Sequence, residues 1–286
     1  MSTPFNGDIP ILAPSLLDRE LVLTDADFAS ICQLIYRRAG IVLSDNKRQM
    51  VYSRLARRVK QLGFTRFSDY VALLGSRVDD PEWEAFVNAL TTNLTAFFRE
   101  SHHFTLLAEH LAERKLPVRV WSCAASTGEE PYSIAIVLRE VLGDHANARV
   151  VATDIDTDAL ERARRAIYPQ GHVAKVSEER VRRFFLKGRA ARSGAVRLRP
   201  EVAAMVDFGQ LNLIAPTWPL DGPFDAIFCR NVMIYFDHKT QARILSRFVH
   251  LLKPGGLLFA GHAENFSYIS DAFRLRGQTV YTLARR

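Results

Sequence analysis

The sequence predicts an α/β protein. A small all-helical N-terminal domain is followed by a doubly wound, Rossmann-like sheet domain with a small antiparallel β insertion. Three observations support this fold class. Residues 24–90 carry apolar side chains at helical spacing, and strand-like runs alternate with helical patterns from about residue 116. A loop of small residues, Ser122–Gly128, also joins an apolar run to a helix. We therefore predict a flexible lead over residues 1–20, a helical domain over 21–92 and the sheet domain over 93–286.

The composition predicts a cytoplasmic protein. The 286 residues are 48% hydrophobic, and no apolar run reaches the length of a membrane span. The N-terminus lacks the pattern of a secretion signal. Cys32, Cys123 and Cys229 are far apart, which argues against a disulfide framework and for a reducing cytosol. The histidines show no metal-ligand spacing, so we predict no metal and interpret His102 and His103 as a solvated pair.

Positive charge is concentrated in two regions of the chain, whose net charge is +7. Ser44–Leu62 holds six basic residues and one acidic residue. Arg162–Arg199 holds twelve basic residues and two acidic residues. Such asymmetry predicts a polyanionic partner, which could be a nucleic acid, an anionic membrane or an acidic protein surface.

Two longer helices open the helical domain. "TDADFASICQLIYRRAG" predicts a helix capped by Thr24 and ended by Gly40. "SDNKRQMVYSRLARRVKQLG" predicts a second helix, capped by Ser44 and ended by Gly63, with several arginines away from its apolar stripe. Two shorter helices are predicted at Phe67–Leu74 and Pro81–Leu90.

The sheet domain shows the alternation that is typical of parallel βαβ units. Strands are predicted at Val118–Trp121, Arg149–Thr153, Phe224–Cys229 and Leu257–Ala260. Helices are predicted between them at Pro131–Leu142, Thr157–Ala166 and Lys239–Leu252. The chain is predicted to end in an edge hairpin around Gly277 and Gln278. Glycine turns and short alternating segments predict the β insertion at about residues 185–211.

Polar residues follow the predicted strands where a doubly wound sheet binds its ligands. Glu129 follows the small loop, and Asp154 follows the second strand, where it could bind a ribose diol. Arg230, Asn231 and Tyr235 follow the strand Phe224–Cys229. The loop matches neither phosphate-binding glycine motif, which favours a nucleoside without a polyphosphate. S-adenosylmethionine fits this description, although an NAD enzyme is a rival and an acid after a strand is often a helix cap.

Six segments in order resemble the CheR family, the chemoreceptor glutamate methyltransferases of bacteria. They are "LTTNLTAFFRE", "AASTGEEPYSIA", "DIDTDAL", "FCRNVMIYF", "LLKPGGLLFAGHAENF" and "LRGQTVY". The similarity runs from about Thr24 to Tyr281. It implies methyl transfer from S-adenosylmethionine to glutamate side chains of methyl-accepting chemotaxis proteins, for adaptation in chemotaxis signalling. The products would be glutamate methyl esters, which a separate methylesterase removes, and S-adenosylhomocysteine.

The resemblance also implies the residues of the methyl-transfer site. Arg99 and Tyr235 would orient the substrate and the methyl donor. Glu129 would meet the methionine part of the cofactor, Asp154 its ribose, and Asn212 its adenine. The complete implied cofactor set is Asn93, Thr95, Arg99, Glu129, Asp154, Asn212, Leu213, Arg230 and Asn231.

Two receptor contacts are implied by the resemblance, and both place the enzyme at membrane receptor arrays without inserting it into the membrane. The basic helix would bind the acidic cytoplasmic methylation region of the receptor through Arg54, Arg57 and Arg58. The β insertion would bind a C-terminal receptor peptide by strand addition through Lys187, Gly188, Gly194 and Arg197. Ala190 stands where tethering relatives carry a further glycine; if that glycine is needed for φ > 0, alanine would reshape the turn, which argues against tethering.

Two other functions compete with the protein carboxyl methyltransferase. The basic regions suggest a nucleic-acid methyltransferase, but "CRNV" stands where base amino methylation uses N/D-P-P-Y/F. Cys229 could serve as the nucleophile of a base methyltransferase, yet we interpret it as a buried small hydrophobe. A non-catalytic adaptor that binds the cofactor product and a receptor tail is the third hypothesis.

Overall fold

The computed structural model describes residues 21–77, 79–112 and 114–284, so the predicted lead over residues 1–20 lies outside the described residues. The chain divides into two units. The helical unit runs to Leu34 and resumes from Ser44 to Leu90. The sheet unit holds Ile35–Leu43 and the chain from Thr91 onward.

The first helix, α1 (Asp25–Ala39), begins and ends where the sequence predicts. The Thr24 hydroxyl accepts a hydrogen bond from the Asp27 N–H at 3.1 Å, and the Asp27 carboxylate accepts one from the Thr24 N–H at 3.2 Å. These reciprocal bonds satisfy two donors at the helix N-terminus. Gly40 follows the last turn with φ +73°, a backbone conformation that favours glycine.

The second helix, α2 (Arg48–Gln61), begins later than predicted, and the prediction of Ser44 as its cap is wrong. A short 3-10 turn, Asp45–Lys47, comes first. The Ser44 hydroxyl donates to the Asn46 side chain at 2.7 Å, because this neighbouring carbonyl competes for it. The predicted apolar stripe is Val51, Leu55, Val59 and Leu62. It is confirmed for the first three residues, which are fully buried, and is wrong for Leu62, which is 39% exposed just past the end of the helix.

Two further helices, α3 (Phe67–Ser76) and α4 (Glu82–Leu90), complete the helical unit. The buried Glu82 carboxylate accepts hydrogen bonds from the Arg58 guanidinium at 2.6 Å and from the Tyr70 hydroxyl at 2.8 Å. Arg58 is therefore a link between α2 and α4 and does not project from the outer face of α2.

The sheet unit contains both sheets of the described chain. Its strands are β1 (Val118–Ser122), β2 (Ala148–Asp154), β3 (Ile167–Pro169), β4 (Phe185–Lys187), β5 (Ala195–Leu198), β6 (Val206–Gln210), β7 (Phe224–Cys229), β8 (Leu252–Ala260), β9 (Phe273–Gly277) and β10 (Val280–Leu283). The main sheet has the order β6-β2-β1-β7-β8-β10-β9, and β6 through β8 in this order are parallel. From β1, the chain continues to β2 and β6 on one side of the sheet and then to β7 and β8 on the other side. A ligand is expected where the strand order reverses in this way, at the carboxyl end of β1.

Helices alternate with these strands. They are α5 (His102–Ala112), α6 (Glu129–Leu142), α7 (Thr157–Arg165), α8 (Glu178–Phe184), α9 (Pro200–Ala203) and α10 (His238–Leu251). The fold class is therefore confirmed: a helical domain precedes a doubly wound sheet with a small antiparallel sheet. None of the helices described is long and apolar enough to cross a membrane.

The predicted range of the β insertion, about residues 185–211, is wrong at both ends. The small antiparallel sheet has the order β3-β5-β4, so it begins with β3 at Ile167. β6 belongs instead to the main sheet, where it pairs in parallel with β2. β6 is an edge strand in which buried Val206 stands beside exposed Asp207. This alternation is also typical of a small antiparallel sheet, so the sequence pattern did not separate the two sheets.

The predicted edge hairpin is confirmed. β9 and β10 pair in antiparallel fashion, and β10 pairs with β8. Gln278 and Thr279 form the two-residue turn with φ of +49° and +59°, as in a type I′ turn. On the neighbouring strands β7 and β8, Phe228 and Phe259 stack with ring centroids 4.2 Å apart. The hairpin forms one edge of the main sheet.

Candidate active site

A tight loop, Ser122–Gly128, lies at the carboxyl ends of the parallel strands. Gly128 has φ +96°, and a Cβ there would lie 2.8 Å from the Tyr168 hydroxyl and 2.9 Å from the Ala163 Cβ. Only glycine fits this position. The Tyr168 hydroxyl also donates to the Thr127 carbonyl at 2.8 Å. The loop is therefore held in one conformation while offering a ligand little side-chain bulk.

Asp154 ends β2 beside this loop, and its side chain is almost fully buried. One carboxylate oxygen accepts the Ser126 N–H at 2.7 Å, and the other accepts the Asp156 N–H at 2.9 Å. Burial raises the pKa of Asp154 to about 6, against the opposing effect of these backbone donors. Each oxygen keeps a lone pair for a further donor, so the carboxylate fits a ribose diol.

Asn93 anchors the linker, residues 91–101, which precedes α5. Its amide nitrogen donates to the Asp156 carboxylate at 2.6 Å, and its carbonyl oxygen accepts from the Ser126 hydroxyl at 2.9 Å. Thr91 donates to the same carboxylate at 2.5 Å, and Asp156 also caps α7 by accepting the Ala159 N–H. The predicted cofactor residues Asn93 and Asp154 therefore meet through Ser126.

Glu129 lies in the first turn of α6, and it is 1% exposed. The Thr127 hydroxyl donates to one carboxylate oxygen at 2.6 Å, and the His172 Nδ1 lies 3.2 Å from the other. A carboxylate here disfavours a phosphate and favours a cationic ligand. The ammonium and sulfonium groups of S-adenosylmethionine fit this charge.

Arg230 follows β7 and is engaged by protein groups. Its guanidinium donates to the Glu130 carboxylate at 2.8 Å and to the Arg99 carbonyl at 2.6 Å, and it lies 3.3 Å from the Glu100 carboxylate. The Ser122 hydroxyl binds the other Glu130 oxygen at 2.8 Å. Arg230 therefore connects the linker to α6, and Glu130 in turn connects α6 to the end of β1 through Ser122. This geometry fixes the backbone of Arg99.

Glu264, which was not among the predicted site residues, organises the turn after β7. Its buried carboxylate accepts four backbone N–H groups at 2.6–3.0 Å. The donors are Asn231, Val232, Met233 and Gly261. Burial raises the pKa of Glu264, while these donors oppose the shift. The sequence feature that could have indicated this role of Glu264 is the single acid in "GHAENF", which directly follows an apolar strand.

Three other predicted residues lie in ordered turns of the sheet unit. The Tyr235 carbonyl accepts the Val42 N–H at 2.8 Å. The Asn212 side chain donates to the Arg38 carbonyl at 2.7 Å, and Leu213 is buried beside it. Asn212 follows β6, the neighbour of β2, so it and Asp154 follow adjacent strands.

The predicted linker residues Thr95 and Arg99 are half-buried. The Arg99 guanidinium donates to the Leu94 carbonyl at 2.8 Å, within the same linker. The Arg99 backbone is bound by Arg230 as described above, so these two predicted residues meet. The structure therefore links Arg99 to the end of β7 through its carbonyl.

The three arginines predicted to bind the receptor on α2 have different environments. Arg57 is exposed. Arg54 is half-buried, and its guanidinium lies 3.5 Å from the Ala89 carbonyl. Arg58 pairs with Glu82, as shown above. Arg57 is thus the member of this set whose charge is most open to a partner.

In the β insertion, Ala190 lies in the turn between β4 and β5. Ala190 adopts φ +51°, a left-handed conformation that alanine can occupy at a modest cost. Gly194 has φ +85°, and its carbonyl accepts the Gln170 N–H at 2.8 Å. A Cβ at Gly188 would clash with the Arg192 carbonyl, so glycine is required there. The turn between β4 and β5 therefore forms despite the alanine.

The cysteines at the site are buried. Cys123 and Cys229 are at most 2% exposed, and the Cys123 thiol donates to the Phe228 carbonyl at 3.1 Å. Burial raises the pKa of both thiols, that of Cys229 well above its usual range. Cys229 therefore stays a neutral thiol, and this environment agrees with its interpretation as a packed small side chain.

The interpretation of His102 and His103 as a solvated pair is wrong for His103, which is fully buried. Its Nε2 lies 3.0 Å from the Gln278 carbonyl and 3.1 Å from the Thr279 hydroxyl. The hairpin turn thus provides polar partners that sequence spacing did not reveal. Burial, together with the charge of Arg230, lowers the pKa of His103 to about 4.

Comparisons with known proteins agree with this site. Residues 26–91 match the family model "CheR methyltransferase, all-alpha domain", and residues 93–282 match "CheR methyltransferase, SAM binding domain". The chain is 60% identical over 268 residues to the chemotaxis protein methyltransferase of Klebsiella aerogenes, covering 93% of this chain and 92% of that one. It is 56% identical to the Escherichia coli protein of that name, covering 94% of each. The chain is 49% identical to chemotaxis protein methyltransferase 2 of Pseudomonas aeruginosa, and the match covers 95% of this chain and 98% of that one.

The strand order, the small loop, the acid after β2 and these matches define an S-adenosylmethionine-dependent methyltransferase. S-adenosylmethionine is therefore the cofactor, and the NAD interpretation is excluded. Within this class, the chain belongs to the CheR methyltransferase family.

Proposed function

We propose that this methyltransferase acts on glutamate side chains in the cytoplasmic methylation region of chemoreceptors and forms γ-glutamyl methyl esters. The observation that carries this proposal is the joint match of the helical and cofactor-binding regions to one family. A cofactor-binding fold alone occurs with many substrates, so the match of the helical region is what narrows the choice of methyl acceptor. The relatives' name, chemotaxis protein methyltransferase, supports the same substrate class.

A glutamate acceptor suits the chemistry that the site residues offer. The glutamate side chain has a pKa near ~4.3, so it is ionised at neutral pH and needs no general base. Bound S-adenosylmethionine supplies a methyl group on a sulfonium, a good leaving centre. The protein then has to hold the carboxylate in line with that methyl group, which is catalysis by proximity and orientation. The buried, neutral thiol of Cys229 supports direct transfer without a cysteine intermediate.

The cofactor assignments rest on charge and position. Asp154 would bind the ribose hydroxyls, and Glu129 the cationic methionine part. Asn212 and Leu213, which follow the next strand, would flank the adenine. Asn93, together with Thr95 in the same linker, would close the site over the cofactor, since Asn93 is bonded to the loop that carries Ser126.

Arg99 and Tyr235 are the proposed substrate-orienting residues. A guanidinium can hold one face of a carboxylate through charge-assisted hydrogen bonds while another lone pair attacks the methyl group. Arg230 supports Arg99 by binding its carbonyl, and Asn231 shapes the turn that leads to Tyr235. We therefore assign Arg230 and Asn231 a positioning role and leave direct contact with the cofactor to the other residues.

The basic face of α2 is the proposed contact for the acidic methylation region. Lys60 is exposed along with Arg57, and these residues are one helical turn apart. Arg54 would contribute at the edge of this face. Arg58 would act indirectly, because its pairing with Glu82 keeps α2 packed on α4.

The β insertion is the proposed contact for a receptor C-terminal peptide. β4 pairs only with β5 in the described part of the small sheet, so its other edge is open to strand addition. Lys187 lies in β4 and Arg197 in β5, where they could meet the peptide's carboxylate groups. Gly188 and Gly194 keep the connecting turn compact, as their backbone requirements show.

A labelling experiment separates this function from nucleic-acid methylation, which the basic regions would favour. The enzyme is incubated with methyl-labelled S-adenosylmethionine and either receptor-rich membranes or RNA. We expect label on the receptors that mild base releases as methanol, because methyl esters hydrolyse there. Base-stable label on RNA would support the alternative. Binding of receptor and S-adenosylhomocysteine without any transfer would indicate an adaptor.

A further inference from the structure

A cluster of imidazole and carboxylate groups lies at the start of α5. One potential ligand atom from each of Glu100, His102 and His103 lies within 4.8 Å of the others. His262, which follows β8, places its Nδ1 3.2 Å from the second oxygen of the Glu100 carboxylate. None of these four side chains is among the residues assigned above to the cofactor or the substrate.

Two buried atoms in this cluster lack a hydrogen-bond partner. They are the Nδ1 of His103 and the Oε2 of Glu100, which face each other at 3.6 Å. The Nε2 of His103 faces the Gln278 carbonyl, which can only accept a hydrogen bond, so Nε2 carries the ring proton. The neutral ring therefore presents the Nδ1 lone pair to the carboxylate oxygen.

The Oε2 of Glu100 lies 3.3 Å from the Arg230 guanidinium, whereas the Nδ1 lone pair of His103 faces no donor and can bind a cation. Zinc–nitrogen and zinc–oxygen bonds of about 2.0–2.2 Å place tetrahedral ligand atoms roughly 3.4 Å apart, close to the observed separation. The nearby Arg230 charge opposes a cation. However, Arg230 lies closer to Glu130, at 2.8 Å, than to Glu100, at 3.3 Å, so Glu130 neutralises its charge and the Glu100 carboxylate can also bind an ion.

We propose that Glu100, His102 and His103 form a site for a divalent transition-metal ion of the zinc class. Two imidazoles and one carboxylate are a donor set that such ions prefer over magnesium or calcium. His262 orients the carboxylate through its second oxygen, as residues behind a metal ligand commonly do. The ion would join the linker that carries Arg99 to α5, and this site does not depend on the identity of the methyl acceptor.

Cobalt(II) titration of the full chain tests the site directly. The protein carries no affinity histidine tag, is first treated with a chelator, and is followed by visible absorption. We expect one equivalent of Co²⁺ to give the intense d–d bands of a four-coordinate site. Zn²⁺ should remove these bands. Thiolate charge-transfer bands should be absent, since the ligands are nitrogen and oxygen.

Matched variants assign the ligands. His102→Ala should lower the Zn²⁺ affinity, measured against a chromophoric chelator, by about tenfold or more, and His262→Ala should also lower it. His145→Ala, which removes an exposed histidine outside the cluster, should leave the affinity unchanged. The unmodified chain already decides the question if a variant fails to fold. Three results would overturn the proposal: no d–d bands appear, thiolate charge-transfer bands appear, or all variants bind Zn²⁺ with equal affinity.

Discussion

At the residue scale, burial and protonation of Asp154 bear on its proposed role in cofactor binding. Its folded pKa of about 6 lies above the ordinary value of 3.8. In the cofactor-free protein this residue therefore favours folding below pH 4, and that contribution is lost as the pH rises through 6. Binding has the opposite trend, because ribose hydroxyls donate best to the ionised carboxylate.

We predict that the affinity for S-adenosylmethionine falls as the pH is lowered from 7 to 5. Calorimetry at several pH values measures this fall. Asp154→Asn should bind more weakly at pH 7 and show a much shallower pH dependence, since its side chain no longer titrates. Equal pH profiles for both proteins would contradict the assignment of Asp154 to the cofactor.

Arg58 and Glu82 form a partly buried ion pair in the helical unit. Arg58→Ala leaves the Glu82 carboxylate, whose side chain is 4% exposed, without its cation. We predict that the free energy of unfolding of the helical unit falls by about 2–3 kcal/mol, less than for a fully buried pair because the Arg58 side chain is 35% exposed. Chemical denaturation measures this loss.

Arg57→Ala is the matched control for Arg58. Its side chain is exposed, so the free energy of unfolding should change by no more than about 0.5 kcal/mol. Similar losses for both variants would show that Glu82 does not depend on Arg58.

Arg99 and Cys229 differ in their proposed share in the reaction. We predict that Arg99→Ala lowers kcat by about 100-fold or more, because the acceptor carboxylate loses its alignment. Cys229→Ala should retain kcat within about twofold at a temperature where it is folded. Initial rates of methyl transfer measure both. Loss of activity in Cys229→Ala with cofactor binding intact would restore the nucleophilic cysteine.

At the scale of elements, α2 offers a test of receptor recognition. We predict that the double variant Arg57→Glu with Lys60→Glu lowers the initial methylation rate at low salt while leaving cofactor affinity unchanged. Exposed charges are screened over about 8 Å at physiological salt. Raising the ionic strength should therefore slow the unmodified enzyme more than the variant. Parallel salt dependence would show that this face is only solvated. Arg58 is left intact because it stabilises the fold.

Sequence patterns predicted elements well where local chemistry decides them. Thr24 and Asp27 form their cap from adjacent residues, and the hairpin turn at Gln278 needs only its two strands. The edge strand β6 could not be assigned, because its alternation fits either sheet and its residues pair with residues of β2 that lie 56 positions earlier in the chain. The same limit applies to the site. Acids after strands could be predicted, whereas the four backbone donors to Glu264 come together only in the fold.

At the scale of the whole molecule, the chain combines a sheet unit that binds S-adenosylmethionine with a helical unit, which we propose recognises the receptor. The family matches cover both regions. Neither region alone specifies a protein carboxylate as acceptor, so the nature of the methylated atom is the central claim.

Tandem mass spectrometry of a methylated receptor fragment tests this claim most directly. The enzyme, S-adenosylmethionine with a deuterated methyl group, and a purified cytoplasmic receptor fragment are incubated, and the fragment is digested at mildly acidic pH to preserve esters. We predict that the deuterated methyl group is found on glutamate side chains, that mild base removes it, and that it is absent when those glutamates are replaced by alanine. A deuterated methyl group on lysine, arginine or cysteine, stable to base, would contradict it.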